Sequence, residues 1–412
     1  MLKKLFLFCF ALHLSAVLTI TRADALPKLS FSGFGSLGGI GTDTNTVGFY
    51  RDGTQVKPAT SSWNITTDSR LGLQMDIAFN EQFHITTQYI IRDHAGDFFE
   101  QNLEWLFLRW SPRNDLDIRI GRLGIDAFLL SDVRDVSYTY LWMRPPHEFY
   151  NNIVGGHFDG IDISQHYKMG NNYLKLKLFA GYAHGNLRQS PNTIEAPIAG
   201  ISISSSRDNW YTRIGYTYLQ ILNEALANDI VQYLNDPNLD IIFPGFSQIA
   251  PQFSSINNYG HYISLGSTYD DGVWQIQAEA AYAHTNARYY PSLASAYLSI
   301  GRRFDALTVY ALYGVSHSFQ KKVDIPPPVI ALPIFQEAWN NLDKLANQNG
   351  QNEQSLSLGL RWDFYTNVAF KVQWSHYWMG TAQGARSWAP PYYPSNVPYN
   401  INVWSVGLDF IF

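Results

Sequence analysis

Charged residues in this chain recur at every second position within apolar runs. Lys175 and Lys177 flank Leu176, Arg361 and Asp363 flank Trp362, and Glu279 follows Gln275 and Gln277 at the same interval. Side chains two apart on an extended chain point the same way. That spacing suits one kind of chemistry: rows of fixed charge facing water, which attract or repel passing ions. Covalent chemistry has weaker claims. Gly33-Phe34-Gly35-Ser36-Leu37-Gly38 matches the G-x-G-x-x-G pattern, but Gly39-Ile40-Gly41-Thr42 continues into a polar stretch where a dinucleotide site needs a helix. His147-Glu148 and His157-x-Asp159 could each hold a divalent cation, although loop polarity explains them equally well, and no His-Glu-x-x-His spacing occurs. No Ser/His/Asp set stands apart from ordinary polar residues. Neither a catalytic residue, a cofactor nor a metal is expected.

The elements that present these charges must be strands. In Leu71-Gly72-Leu73-Gln74-Met75-Asp76-Ile77-Ala78-Phe79 every odd position is large and apolar, and every even one is polar or small. Similar stretches cover about 29–38, 70–79, 83–92, 103–111, 116–122, 158–167, 172–182 and 199–205. Eight more cover 209–218, 260–270, 273–283, 295–303, 307–316, 355–364, 368–378 and 401–412. Most have the 9–11 residues, or about that, of a tilted bilayer-crossing strand. The facing of 103–111 is not decided by its pattern.

Connections alternate in length. Short turns lie at Asn80-Glu81-Gln82, Lys168 to Asn171, Arg207-Asp208, Asp271-Gly272, Asp305-Ala306 and Tyr365 to Asn367, among others; between them run long connections such as 39–69, 123–157, 219–259 and 317–354. A closed antiparallel transmembrane β-barrel of about sixteen strands, with short periplasmic turns and long extracellular loops, keeps this asymmetry. Two long loops also carry helical spacing: Leu219, Leu222, Leu226, Ile230 and Leu234 in one, and Phe335, Ala338, Leu342 and Leu345 in the other.

Composition agrees. Charged residues make up only 15% of the 412, aromatics another 15%, and no apolar run is long enough for a bundle of membrane helices. A hydrophobic content of 46% excludes a disordered chain, and a net charge of −5 argues against a nucleic-acid partner. Residues 1–25 read as a signal peptide, with Lys3 and Lys4, an apolar core from Leu5 to Ile20, and a small-residue cleavage site ending at Ala25. The barrel is then 26–412, and the lone Cys9 leaves with the leader.

The last strand places Trp404, Val406, Leu408, Phe410 and Phe412 on one face and stops there. Asp68-Ser69-Arg70-Leu71-Gly72-Leu73-Gln74, Trp110-Ser111-Pro112-Arg113-Asn114-Asp115-Leu116, Arg119-Ile120-Gly121-Arg122-Leu123-Gly124 and Trp142-Met143-Arg144-Pro145-Pro146 add local pattern. Together these resemble the porin superfamily of Gram-negative outer membranes, more closely the porin-like proteins of proteobacteria. The resemblance implies a water-filled channel in the outer-membrane lipid, a homotrimer, and a third long loop, 123–157, folded inward as a constriction. It also implies that the barrel-assembly machinery reads the terminal strand 401–412. The Pro-Glu-Phe-Gly-Gly sequence of many general porins is missing from that loop.

Alternation assigns Arg70, Arg92, Arg119, Lys175, Lys177 and Arg213 to the inner wall, with Arg303, Arg361 and Lys371. Inward acids are Asp76, Asp117, Asp162, Glu279, Asp363 and Asp409. The third loop adds Asp126, Asp132, Asp135 and Glu148 against Arg134 and Arg144, so loop acids would face wall bases across a wet gap. The excess of wall bases predicts a weak preference for anions. The expected function is passive diffusion of small hydrophilic solutes and ions, with no enzymatic step. A substrate-selective porin for sugars or aromatic acids, or a surface adhesin or receptor that displays loops on a barrel, would share most of these features.

Overall fold

The computed structural model describes residues 26–412 apart from 46, 96–97, 99–101, 152–155, 187–192, 225–227, 289, 320–321, 331, 348–349, 380–387 and 390–398. The expected leader, its cleavage point at Ala25, and Leu226 lie outside the described residues.

In chain order the strands are β1 (Lys28–Thr42), β2 (Gly48–Phe49), β3 (Arg70–Ala78), β4 (Phe83–Ile91), β5 (Leu103–Arg113) and β6 (Leu116–Gly124). Next come β7 (His157–Met169), β8 (Asn172–Asn186), β9 (Thr193–Arg207), β10 (Trp210–Gln220), β11 (Tyr259–Asp270) and β12 (Trp274–Thr285). The last are β13 (Ser292–Phe304), β14 (Leu307–Phe319), β15 (Glu353–Tyr365), β16 (Val368–Met379), β17 (Trp388–Ala389) and β18 (Tyr399–Ile411). Sixteen of these form a closed antiparallel barrel; β2 and β17 pair with each other outside the ring. Closure is made by β18 lying against β1, from Phe34 opposite Ile411 to Thr42 opposite Val403. No edge is left unpaired, which is what lets a sheet stand in lipid.

Each expected segment falls on a ring strand, and several strands run further into the long loops. The short stretch 199–205 is the middle of the fifteen-residue β9. The short turns bend where their residues permit: Asp208, Asp305, Asn367, Gly170 and Gly272 all have positive φ. Asp271 Oδ1 accepts from the backbone N–H groups of Val273 and Trp274, closing its turn locally.

The outward face is apolar. Leu73, Ile120, Leu178, Ile214, Leu265, Leu298 and Leu358 are exposed there. Outward glycines Gly33 and Gly35 lie under the rings of Phe412 and Phe410, which occupy the space a Cβ would need. Terminal phenylalanines thus cover the bare backbone of the first strand at the seam.

Two long loops fold together outside the ring. The helix Pro333–Asn347 and the helices Asn228–Leu234, Pro237–Ile242 and Phe246–Phe253 share a core of Leu234, Phe243, Phe246, Phe253, Val323 and Leu342. The helical reading of 335–345 therefore holds. That of 219–234 needs correction at its start, because Leu219 still belongs to β10, and among the described residues the helix covers Asn228–Leu234. Leu219 opposes Ile198 across the sheet and packs on the core inside the barrel, so its spacing to Leu222 is coincidental.

Candidate functional site at the internal loop

The segment between β6 and β7 runs through the interior of the ring, and its contacts divide into two kinds. Toward β11–β14 they are apolar. Phe128, Trp142 and Phe149 are fully buried, and with Leu130, Tyr140 and Tyr150 they pack on Tyr262, Ala281, Tyr297, Tyr310 and Leu312 of the wall. The Trp142 and Tyr297 rings meet edge to face at 5.5 Å, and Trp142 Nε1 donates to Ser299 Oγ at 2.7 Å. Each fully buried aromatic contributes about 2 kcal/mol from burial alone. Inward glycines make room: a Cβ on Gly301 would strike Leu141, one on Gly314 would strike Glu148, and one on Gly407 would strike Met143.

Two wall cations fasten the loop's middle through its backbone. Lys371 Nζ donates to the carbonyl oxygens of Ser137, Tyr140 and Trp142 at 2.6, 2.7 and 2.9 Å, and pairs with Asp409 at 2.9 Å. Arg361 donates to the carbonyls of Tyr138 and Tyr140 and pairs with Asp363 at 2.7 Å. Carbonyls of the loop's irregular middle are thereby bonded inside the barrel.

Toward β3–β10 the apolar cluster continues through Phe107, Leu123, Phe158, Phe179 and Ile198, and charged contacts are added to it. Asp135 pairs with Arg70, and with Arg92 at 2.8 Å; Arg92 also reaches Glu104 at 2.9 Å. Arg134 lies 3.9 Å from Glu104 and 3.8 Å from Asp135. Lower on the wall Arg119 grips Asp162, while Lys177 lies 3.6 Å from Asp126 and 3.9 Å from Asp162. Arg213 pairs with Asp126 at 3.0 Å. Burial opposes ionisation of Asp126, but Lys177 and Arg213 outweigh it and hold the carboxyl at about 2. Burial likewise opposes the charge on Asp135, and Arg92 and Arg70 pull that carboxyl far below the usual range. Asp132 is exposed, beside Lys175 in a cavity of about 40 Å³ that Asp126, Ser202 and Arg213 also line. Above the loop, a cavity of about 80 Å³ is lined by Arg51, Asp52, Arg92, His94, Arg134 and Asp135.

No family model matches the sequence, and no curated protein matches it. Solved structures do. OmpT of Vibrio cholerae, an outer membrane protein, superposes with a TM-score of 0.51 at 11% identity, over 95% of this chain and all of that one. Salmonella typhi OmpF, in complex with daunomycin, gives 0.52 at 11% identity, covering 94% and 98%. The outer membrane channel DcaP of Acinetobacter baumannii gives 0.52 at 12% identity, covering 95% and 99%. The chain has the porin fold.

Within this porin barrel, two expectations from alternation need correction. The wall beside the loop is packed rather than wet, since Lys371, Lys177, Arg213 and Glu279 are all buried. Glu279 accepts from the hydroxyls of Tyr150 and Tyr297 and from the Leu129 N–H, so it anchors the loop. Arg303 does face inward as alternation assigns, at the short-turn end of β13, where it bonds Asp270 and the Gly272 carbonyl.

Alternation does not assign Glu104 to the inner wall, yet it lies there. In β4–β5 Gln88 opposes Trp105 but Tyr89 opposes Leu103, so Glu104 is the extra residue of a bulge. The bulge turns its carboxylate inward to Arg92. The same irregularity made the facing of 103–111 unreadable: Trp105, Phe107 and Arg109 face inward opposite Gln88, Thr86 and His84. Asp68 was also passed over as a partner. It lies just before β3 and accepts from both Arg51 and Arg144, whose charges drive its carboxyl down to about 2 against the effect of burial.

Proposed function

We propose that this protein is an outer-membrane channel for passive movement of small hydrophilic solutes and ions, and that they pass between the internal loop and the β4–β8 wall. One observation carries the reading: the ion pairs and the two small cavities beside the loop gather toward β3–β10, while toward β11–β14 it is held mainly by aromatic packing. Water and ions are accommodated by the first kind of surface and excluded by the second. Along that seam Arg70, Arg92, Arg119, Arg134, Lys175, Lys177 and Arg213 face Glu104, Asp126, Asp132, Asp135 and Asp162. The small excess of bases, largely offset by the acids, gives weak selectivity with a slight preference for anions. Crossed charges across a narrow gap also order water and disfavour apolar solutes.

The small cavities along the seam favour small solutes over the sugar- or aromatic-acid-selective alternative. Cavities of about 80 and 40 Å³ hold a few waters each, and a hexose would require the loop to move. The outer membrane as location, a trimer, and recognition of 401–412 by the assembly machinery belong to the same reading. Likeness supports the trimer: one OmpT structure of this fold is described as a trimer form. The tight packing of the loop favours a second reading, a barrel that displays loops and conducts nothing.

Planar-bilayer recording of the refolded barrel, 26–412, separates the two. Small, steady, weakly selective conductance that closes in steps of three supports the channel. A silent membrane with correctly inserted barrel supports display.

A further inference from the structure

Five histidines stand on the outward face of the ring at the long-loop end: His184 on β8, His261 on β11, His284 on β12, His317 on β14 and His376 on β16. Each lies within three residues of the end of its strand. Their facing follows from register and from lipid-exposed neighbours two residues away: Tyr182, Ile263, Tyr282, Phe319 and Trp378. Half of the ten histidines beyond residue 25 thus collect on one rim of one face.

This rim is the depth at which a membrane barrel carries its aromatic girdle, level with lipid headgroups. The rings sit in that girdle. His184 packs on Tyr182, His317 on Phe319, His376 on Trp374 and Trp378, and His261 on Tyr216, Tyr218 and Tyr259. His261 and His284 oppose each other across β11–β12, nearly parallel at 6.2 Å between centroids. Three of the rings have Nδ1 occupied: His261 by the Tyr216 hydroxyl at 2.7 Å, His284 by Ser292 Oγ at 3.3 Å and His376 by Asn402 Oδ1 at 2.9 Å. That leaves Nε2 for a partner beyond the barrel.

Permanent charge is scarce on this rim. Among the described strand residues its outward base is Arg122, which is bound to Asp159. Arg302 lies at the opposite end of the strands, stacked on Trp274 and Phe304. The acids near the histidines are also few. Glu195 opposes His184, with Asp159 on the adjoining strand, and Asp43 bonds the Asn402 that holds His376. His261, His284 and His317 have Tyr218, each other, and Ala294 as their cross-strand partners, with no acid in register. A proton gained by those three has no protein carboxylate to pair with. The groups that meet them at this depth are lipid phosphates, and imidazole takes up its proton between about pH 8 and pH 5.

We propose that these histidines form a binding belt for anionic, phosphate-bearing lipid headgroups, and that the belt strengthens as the medium turns acid. The proposal rests on the barrel lying in a membrane and not on its conducting.

The test uses the refolded barrel in vesicles of phosphatidylcholine mixed one to one with phosphatidylglycerol. Quenching of tryptophan fluorescence by the brominated form of either lipid reports their relative affinity for the barrel surface. Between about pH 8 and about pH 5 the preference for phosphatidylglycerol is expected to rise, by up to about fivefold at a site whose histidine becomes charged. The H261Q/H284Q/H317Q variant is expected to insert and to lose most of that rise. If the triple variant fails to insert, the single variants H284Q and H317Q are each expected to lose a measurable part. A preference that is the same at both pH values, or unchanged in the variants, overturns the proposal; so does a rim covered by a second copy, which would make it insensitive to lipid. Failure of the unaltered barrel to enter either vesicle would instead strike at the membrane placement itself.

Discussion

Lys371 holds Tyr140 twice: its ammonium donates to the Tyr140 carbonyl oxygen at 2.7 Å and lies 5.0 Å from the centroid of the Tyr140 ring. The lysine is wholly buried on β16, so the bond is shielded from water and salt. Replacing it by methionine removes the donor from three carbonyls and strands Asp409. The K371M variant is expected to lose about 3 kcal/mol of stability and to show larger, noisier conductance as the loop works free. Denaturant unfolding and single-channel recording read the two effects; an unchanged channel would show that the loop needs no such fastening.

Charge reversal at Asp132 is expected to tilt selectivity. This exposed carboxylate shares its cavity with Lys175 and Arg213, and D132R would leave that stretch of the seam with no acid but Asp126. The unaltered channel should give a small reversal potential toward anions in a salt gradient, and D132R a larger one. If both give the same potential, ions do not pass there.

Glu104 offers an independent check at the other end of the seam. Arg92 and Arg134 both address its carboxylate, and Asp135 alone cannot satisfy them. The E104Q variant is expected to favour anions as D132R does, with a cost of about 3 kcal/mol from the uncompensated buried charge. Comparable reversal potentials for the two variants would place both residues on one path.

Acid should loosen the loop at Asp126. Its carboxyl is held below the ordinary 3.8, so its contribution is complete above that value and fades as pH falls toward about 2. Asp135 acts in the same direction. Conductance measured on descending pH is expected to stay flat until about 4 and to become unstable below it.

Alkali should loosen it at a different point. Burial, and next the charge of Glu353, push the Glu148 carboxyl up to about 7. A raised carboxyl favours the folded loop when protonated, so its contribution is full below 4.5 and is lost as pH rises through about 7. The E148Q variant mimics the protonated form and is expected to abolish that loss, leaving the acid limb unchanged. Stability that is equal in E148Q and the parent protein at pH 8 would contradict this.

The residues alone determined the barrel. Period-two alternation survives because lipid on one side and a polar interior on the other impose opposite demands on neighbouring side chains. Turn residues such as Asp271-Gly272 carry their own geometry. These are local rules, legible in any short window. Facing was equally legible wherever strands were regular, as at Lys175 and Lys177, and failed at 103–111, where one bulged residue shifts the register.

Tertiary structure alone decided how the interior is filled. Alternation says that Lys371 and Glu279 point inward; it does not say that backbone carbonyls or tyrosine hydroxyls from more than 100 residues away will meet them there. Those partners are brought together by packing of Phe128, Trp142 and Phe149 against a distant wall, and burial then turns inward charges from a wet lining into fasteners. Such contacts join segments with no shared period, so nothing in their spacing along the chain could announce them.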